Sequence, residues 1–377
     1  MSRYPPAHCG VGEYTRMLVS SLYSLRRDLD MLVIATELSG SEHYIETISG
    51  VPVYPVLREK SNDYKKSLDV LAERNGVDIL HIEHEYGIFR DGLGLLSVIE
   101  EAKNEGLARK VVITLHTVYH PSSRRSDALF LQKNLHSNAI DKIIVHSRLQ
   151  EFELEAQGLP IDKIIRIPHG TLINPYISMP RYKLCESLGI RREQLNGTVI
   201  VTPGFIRPDK GLDVLLEALT YAQFNYTLIV AGEFRDKRIK ELIEKSNHTI
   251  VIEKYLSHDE ILKLIALSDI LVLPYRDKPG TYSVSGILHL SMGSLRPIIG
   301  TKVPRLIELY ERAPRMCVTP GSTRDLRERL NWVHNNYDLA VAYMSELYAY
   351  AARTQWIRMA RRHLALYRNL LVRGGGS

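Results

Sequence analysis

The strongest constraint in this chain is a rhythm. Short Val/Ile-rich runs alternate with stretches of helical spacing. The runs are Met31–Thr36, Val77–Ile82, Lys110–Leu115, Ile140–Val145 and Lys163–Ile167, then Thr198–Thr202, Tyr226–Ala231, Ile250–Glu253, Ile270–Leu273 and Pro297–Ile299. Most are continuous rather than alternating apolar and polar, the pattern of parallel strands buried on both faces. Amphipathic segments such as Gly211–Tyr221 and Asp259–Ser268 lie between them. Strand–helix alternation of this kind predicts an α/β fold with doubly wound parallel sheets. The series occurs twice, and "INPYISMP" (Ile173–Pro180), with two prolines and no periodicity, separates the two. The expectation is two Rossmann-like domains facing a central cleft, over residues 1–175 and 176–350. A C-terminal helix over 351–373 would cross back toward the first domain, the end of a helical stretch from Leu339 with Trp356, Leu364, Tyr367 and Leu371 as its apolar positions.

The segment "YPPAHCGVGEYTRMLVSSL" (Tyr4–Leu22) raises a specific question. Gly10 and Gly12 lead straight into helical spacing at Tyr14, Met17, Leu18, Leu22 and Leu25. That predicts a glycine loop feeding a helix N-terminus, where an anion can sit on free backbone N–H groups. Such a loop normally follows a buried strand, yet only Met1–Tyr4 precede it. Either the natural start lies upstream or the sheet is built with a stub.

Composition narrows the class. At 377 residues the chain can bury two full cores. No apolar run is long enough to span a bilayer, and no h-region of a signal peptide is visible. Cys9, Cys185 and Cys317 are scattered, which suits a reducing cytoplasm and neither a disulfide framework nor a metal cluster. A net charge of +6 fits an anionic ligand or an anionic membrane surface. Without an arginine-rich arm or an aromatic-interleaved basic sheet, nucleic acid is not an expected partner. Gly374–Ser377 reads as a flexible tail.

Polar residues gather where the strands end. "HIEHEYGIF" places His84, Glu85 and Tyr86 after one strand, and "ITLHTVYHP" places His116 and Thr117 after the next. "IIVHS" adds His146, and "RIPHGT" adds His169 with Gly170 and Thr171. Ligands of open α/β sheets bind at the carboxyl ends of the strands, so four such histidines predict a lined cleft. His81/His84 and His116/His120 have unhelpful spacing for a metal and lack the HExxH helix pattern, so no metal is expected. In the second half, "TPGFIRPDKGLDVLLEAL" ends a strand at Gly204 and holds Arg207 and Lys210 near a helix start. Two cations there suit a diphosphate. In "DILVLPYRDKPGTYSVSGILHLS", Tyr275–Thr281 reads as a loop, and Ser283, Ser285 and Gly286 open a helix whose N–H groups can face phosphate. Ser283 or Ser285 is the candidate N-cap.

These motifs together resemble family 4 of the retaining, nucleotide-sugar-dependent glycosyltransferases of the GT-B fold. The resemblance runs from Tyr4 to about Leu371. It is closest to a mannosyltransferase-like subgroup that reads "YPP..CGIA.YT", "QHEFGIF", "TLHTV", "IPHG", "KG" and "S.SG". Here these stand as Tyr4–Thr15, Glu83–Phe89, Thr114–Val118, Ile167–Gly170, Lys210-Gly211 and Ser283–Gly286. The resemblance implies that Gly10 and Gly12 lie beside the donor diphosphate or the acceptor. It implies that His116 reaches the donor sugar or the forming bond, and that Lys210 with an arginine neutralises the leaving diphosphate. Backbone groups around Ser285–Ile287 would bind phosphate, with Tyr282, Ser283, Gly204 and Gly286 at the donor. The base would lie near Glu233 and Lys254–Leu256, Tyr255 among them. His84, Glu85, Tyr86, Thr117, His146 and His169 would face the acceptor.

Two departures stand out. The arginine expected directly after the strand glycine is Phe205, so Arg207 must substitute for it. The usual pair of glutamates, with seven residues between them, is absent, with Tyr282 and Leu290 at those places. The expected activity is transfer of a hexose, mannose from GDP-mannose first and glucose from UDP-glucose second, to a hydroxyl acceptor. Retention by a front-face mechanism is expected, with His116 and the diphosphate assisting and no cofactor or metal required. The missing glutamates motivate a second reading, a catalytically silent sugar-nucleotide-binding relative. A nicotinamide enzyme is disfavoured because Gly10-Val11-Gly12 lacks the third glycine. Finally, "HPSSRRSDALFLQKNL" puts Arg124 and Arg125 beside Ala128, Leu129, Phe130, Leu131 and Leu135. A basic amphipathic segment of this kind can lie on an anionic membrane, which would bring a lipid or lipid-linked sugar acceptor to the cytoplasmic face. An ordinary core-facing helix is the other reading.

Overall fold

The computed structural model describes residues 1–37, 44–45, 50–58, 63–124, 126–244, 246 and 248–373. Arg125 and the tail Gly374–Ser377 lie outside them. The contacts divide the chain into two compact units. The first holds Met1–Gly170, Pro279–Val284 and the chain from Trp356 onward; the second holds Thr171–Lys278 and Ser285–Gln355. The division thus falls at Gly170, a few residues before the expected one. Ile173–Pro180 is not a free linker: Ile173 bridges Gly293 in parallel, and Asn174 Nδ2 donates to Leu262 O (2.8 Å) and Ser294 Oγ (3.0 Å). A buried asparagine must spend its amide this way, and doing so anchors the segment in the second unit.

In the first unit the strands are β1 (Val33–Thr36), β2 (Tyr44–Ile45), β3 (Pro52–Leu57), β4 (Val77–His84), β5 (Ala108–Leu115), β6 (Thr117–Tyr119), β7 (Lys142–Val145) and β8 (Ile164–Arg166). They form one sheet of order β1-β3-β2, antiparallel only at the β2 edge, and a parallel sheet of order β4-β5-β7-β8. Met1 and Ser2 fill the gap between them. Ser2 N donates to Ile34 O (3.0 Å) and Thr36 N to Ser2 O (3.1 Å), while Glu83 N donates to Met1 O (3.0 Å). Met1 and Ser2 thus take the central strand position, hydrogen-bonded to β1 on one side and β4 on the other.

Gly10 and Gly12 do not form a loop. They lie in the first turn of the helix Gly10–Leu25, and Glu13 N already donates to Cys9 O (3.0 Å). Neither has positive φ, so what they contribute is the absence of a side chain. Tyr14, Leu18 and Leu22 form the buried stripe of that helix. The C-terminal stretch is broken into Tyr337–Ala342, Ser345–Arg353 and Trp356–Arg373. Met359 and Leu366 of the last helix pack on Val112, Ile144 and Ile167 of the first-unit sheet region. The expected membrane-facing segment is core: Leu129, Leu131 and Leu135 are buried, and Arg124 donates to Tyr119 Oη (2.9 Å) with its guanidinium over that ring. Those three leucines pack inside the unit, as the core-facing reading expects, while Ala128 and Phe130 are half-buried. Among the described residues no helix is long and apolar enough to cross a membrane.

In the second unit, β9 (Thr198–Pro203), β10 (Tyr226–Ala231), β11 (Thr249–Ile252), β12 (Ile270–Leu273), β14 (Ile298–Thr301) and β15 (Cys317–Val318) build a parallel sheet. Its order is β11-β10-β9-β12-β14-β15, a doubly wound arrangement with β9 and β12 at the centre. The strand between β12 and β14 in sequence, β13 (Thr281–Ser283), belongs instead to the first unit. It pairs antiparallel with β6, Ser283 opposite Thr117 and Tyr282 opposite Val118. Ser283 therefore does not open a helix. The N-cap is Ser285, whose side chain accepts from Leu288 N ahead of the helix Gly286–Ser291.

Candidate functional site

In the first unit, three of the four strand-end histidines converge. His116 follows β5, His146 follows β7 and His169 follows β8. All three rings surround Tyr14 of the first helix, with centroids 4.8, 5.1 and 5.1 Å from it. Trp356, opening the last helix, closes the group at 4.9 Å from Tyr14 and 5.4 Å from His169. Gly170 permits this: a Cβ there would stand 2.1 Å from the Trp356 ring. Tyr14 and Trp356 were not foreseen, since apolar periodicity marks both merely as helix-packing positions.

His116 is nearly buried, and its Nε2 lies 3.0 Å from Glu83 Oε2. Burial alone would raise the Glu83 carboxyl. The charge of neighbouring His81 and the hydrogen bond from His116 outweigh it and hold Glu83 down at about 2. His81 is itself pushed down to about 3, chiefly by burial. Its Nδ1 meets Tyr367 Oη (2.6 Å) and its Nε2 meets Thr114 Oγ1 (2.8 Å).

His84, Glu85 and Tyr86 sit differently from the other acceptor candidates. His84 is fully buried, stacked 5.9 Å from Phe89 and edge-on to Tyr86, and burial lowers its pKa to about 3. It supports the site from behind. Glu85 accepts from Tyr86 N (3.1 Å) and from Thr117 Oγ1 (2.7 Å). Tyr86 Oη donates to the buried Gln132 (2.9 Å). Those groups lock the β4 and β5 ends together. Tyr282 lines a cavity of about 630 Å³ with His120, Gln132, Phe152 and Gln157.

The second unit gathers cations. Asp209, after β9, accepts from Arg207 (Nη2–Oδ2 3.2 Å) and Arg305 (Nη1–Oδ2 3.0 Å), and Lys278 Nζ stands 3.7 Å away. Burial would raise the Asp209 carboxyl, but Arg207, Lys210, Lys278 and Arg305 together hold it below its ordinary value. Lys210 Nζ lies 3.7 Å from the Tyr275 ring centroid, and Tyr275 Oη is 3.2 Å from Ser285 Oγ. Desolvation lowers the Lys210 ammonium pKa. Gly211 makes the turn possible: its φ is +65°, and a Cβ would stand 1.9 Å from Pro274 O. Gly204 has φ +106°, and its carbonyl is met so closely by Gly232 that a Cβ there would stand 1.8 Å away. Beyond them Glu233 pairs with Arg235 (2.8 Å), whose guanidinium lies over Phe205 at 5.1 Å, and Phe205 lies 5.8 Å from Tyr255. Ser285 and Gly286 adjoin this group through Tyr275, whereas Tyr282 and Ser283 lie in the first unit. Arg305 and Lys278 were missed, because nothing local distinguishes them from solvated charges. Among the described residues no group of three His, Cys, Asp or Glu is placed to hold a metal ion.

Two family models match successive parts of the chain. The model described as "Glycosyltransferase Family 4" matches residues 9–171, and "Glycosyl transferases group 1" matches residues 197–336. An uncharacterized glycosyltransferase of Methanocaldococcus jannaschii is 29% identical over 139 residues, 36% of this chain and 38% of the relative. The lipopolysaccharide 1,2-N-acetylglucosaminetransferase of Salmonella typhimurium is 28% identical over 156 residues, 41% of this chain and 36% of the relative. The chain thus matches little more than a third of the length of these curated relatives. Among solved structures, Anabaena HepE in complex with UDP and glucose superposes with a TM-score of 0.74 at 17% identity, covering 98% of both chains. The chain carries a Family 4 glycosyltransferase domain followed by a group 1 glycosyltransferase domain, on the GT-B fold.

Proposed function

We propose that the chain transfers a hexose from a nucleoside-diphosphate sugar to a sugar hydroxyl, free or lipid-linked, with retention. The observation that carries this reading is the cationic group around Asp209. Arg207, Lys210, Lys278 and Arg305 gather on one carboxylate at the carboxyl end of a central parallel strand, where α/β sheets bind ligands. That excess of positive charge is suited to a leaving diphosphate, whose charge grows as the glycosidic bond breaks. His116, at the corresponding strand ends of the first unit, is the side chain assigned to the acceptor proton, and His146 and His169 face the acceptor with it. GDP-mannose is the donor favoured by the sequence resemblance. UDP-glucose is the second reading, supported by the UDP and glucose held by the HepE neighbour.

The test is binding followed by turnover. A thermal-shift panel of nucleotide sugars identifies the donor, and calorimetry with the matching nucleoside diphosphate measures Lys210→Ala. Loss of one charge-assisted contact, about 1.5–3 kcal/mol, weakens binding roughly 10- to 150-fold. Unchanged affinity in both Lys210→Ala and Arg207→Ala removes the diphosphate site. Tight donor binding without release of free nucleotide identifies the silent sugar-nucleotide-binding relative instead.

A further inference from the structure

The sequence carries Glu83 where the resembling subgroup reads glutamine, and the structure gives that carboxylate a definite task. We propose that Glu83 is a positioning residue that holds the His116 imidazole with its proton on Nε2, leaving Nδ1 as the atom that takes the acceptor hydroxyl's proton. This deepens the glycosyltransferase reading above and rests on it.

Glu83 is buried, and an ionised carboxylate only accepts hydrogen bonds. The 3.0 Å contact from His116 Nε2 therefore requires a hydrogen on Nε2. In the neutral ring that leaves the lone pair on Nδ1, which has no hydrogen-bond partner among the described residues. The ring is fixed from other sides too. Its backbone N–H donates to His84 O (3.1 Å), its carbonyl accepts from Gln150 Nε2 (3.3 Å), and Tyr14 stands edge-on at 4.8 Å. The carboxylate is held in turn from behind by His81, whose Nε2 is 3.5 Å from Glu83 Oε1 and whose Nδ1 is tied to Tyr367. A neutral amide at position 83 can keep the hydrogen bond but cannot compensate the charge of an imidazolium.

The step balances without a further reactant. The acceptor oxygen bonds to the anomeric carbon as its proton passes to His116 Nδ1. The bond from that carbon to the diphosphate oxygen breaks, and its electron pair leaves with the nucleoside diphosphate. Glu83 stabilises the imidazolium until the proton passes to the departing diphosphate or to solvent. The titratable groups facing the His116 ring are Tyr14 from the first helix, His81, Glu83 and His84 from β4, and His146 just after β7. His169 stands one ring further, 5.7 Å from His146. Of these only Glu83 is both ionised and hydrogen-bonded to the ring.

The experiment compares wild type, Glu83→Gln, His116→Gln and the double variant. With nucleotide sugar and acceptor, Glu83→Gln should lower kcat roughly 10- to 100-fold, leave the donor KM within about twofold, and move the acid limb of the kcat profile to lower pH. In the His116→Gln background the Glu83→Gln change should have no further effect on kcat. Additive effects, or an acid limb that stays in place, overturn the proposal. Imidazole 15N NMR of histidine-labelled protein supplies a readout that needs no turnover. The His116 ring should show the Nε2–H tautomer in wild type. An Nδ1–H tautomer in wild type overturns the proposal whatever the activity. A wild type that releases no nucleotide from any donor, yet shows the Nε2–H tautomer, counts against the glycosyltransferase reading and leaves the positioning geometry supported.

Discussion

Phe205 occupies the place after the strand glycine where an arginine was expected, and its ring carries the Arg235 guanidinium at 5.1 Å. Two nearby cations, Arg207 and Arg305, stand on the Asp209 carboxylate. Arg207 was readable, because it stands close to Gly204 and Lys210 in one motif. Arg305 was not, because it follows β14 nearly a hundred residues later and only folding brings it to Asp209 at 3.0 Å. Glu83 was hidden in the same way: as one polar position at the end of an apolar run, it reveals its contact with His116 only once β4 and β5 pair in register. The Arg305 placement carries a prediction. Arg305→Ala should weaken nucleoside diphosphate binding about as much as Arg207→Ala, roughly tenfold or more, since both cations share the Asp209 carboxylate. Calorimetric affinities for the two variants check this, and an Arg305→Ala protein that binds like wild type removes Arg305 from the diphosphate site.

The elements themselves were largely legible, for a physical reason. Strands buried on both faces must be continuously apolar, so β4, β5, β7, β9, β10 and β12 announced themselves. β3 did not, because Pro52–Leu57 alternates buried and half-buried residues and carries two prolines. β13 was read as loop and helix start because three residues carry no periodicity, and its partner β6 lies about 160 residues earlier. The last helix shows how an element and a site depend on each other. Trp356 is buried in the ring of Tyr14 and His169, and Gly170 is the space it needs. Gly170→Ala should therefore displace the indole and cost about 1–3 kcal/mol, the usual range for overpacking. Trp356→Ala should cost about 3–5 kcal/mol. Because both changes act on one contact, the double variant should lose less than the sum. Denaturant titrations of the three proteins test this. Additive losses mean that Gly170 and Trp356 are not coupled.

At the scale of the whole molecule, the two units should differ in how they meet acid. In the first, His81 and His84 are neutral in the fold, with pKa values lowered mainly by burial to about 3 from an ordinary 6.5. The unfolded chain therefore binds more protons than the folded one between those two values, and the neutral form's advantage is full above pH 6.5. It shrinks as pH falls through the window from about 6.5 to 3. At pH 5 each histidine should have cost the fold roughly 2 kcal/mol relative to pH 7.5. Glu83 does not offset this, because its lowered pKa contributes stability that is lost only as pH falls below the ordinary carboxylate range. In the second unit the displaced acids are carboxylates such as Asp209, Asp259 and Glu260, all lowered, whose contributions also persist at pH 5. Hydrogen exchange, corrected for its intrinsic pH dependence, resolves the units where a single melting curve would merge them. Protection in β4, β5 and β7 should fall between pH 7.5 and pH 5, while β9, β10 and β12 stay protected. His84→Phe, which keeps the stacked ring on Phe89 and removes the titrating nitrogens, should recover about half of the loss. Equal protection of β4 and β5 at both pH values would mean that His81 and His84 take up protons without opening the sheet, and the buried-histidine account of acid sensitivity would be wrong.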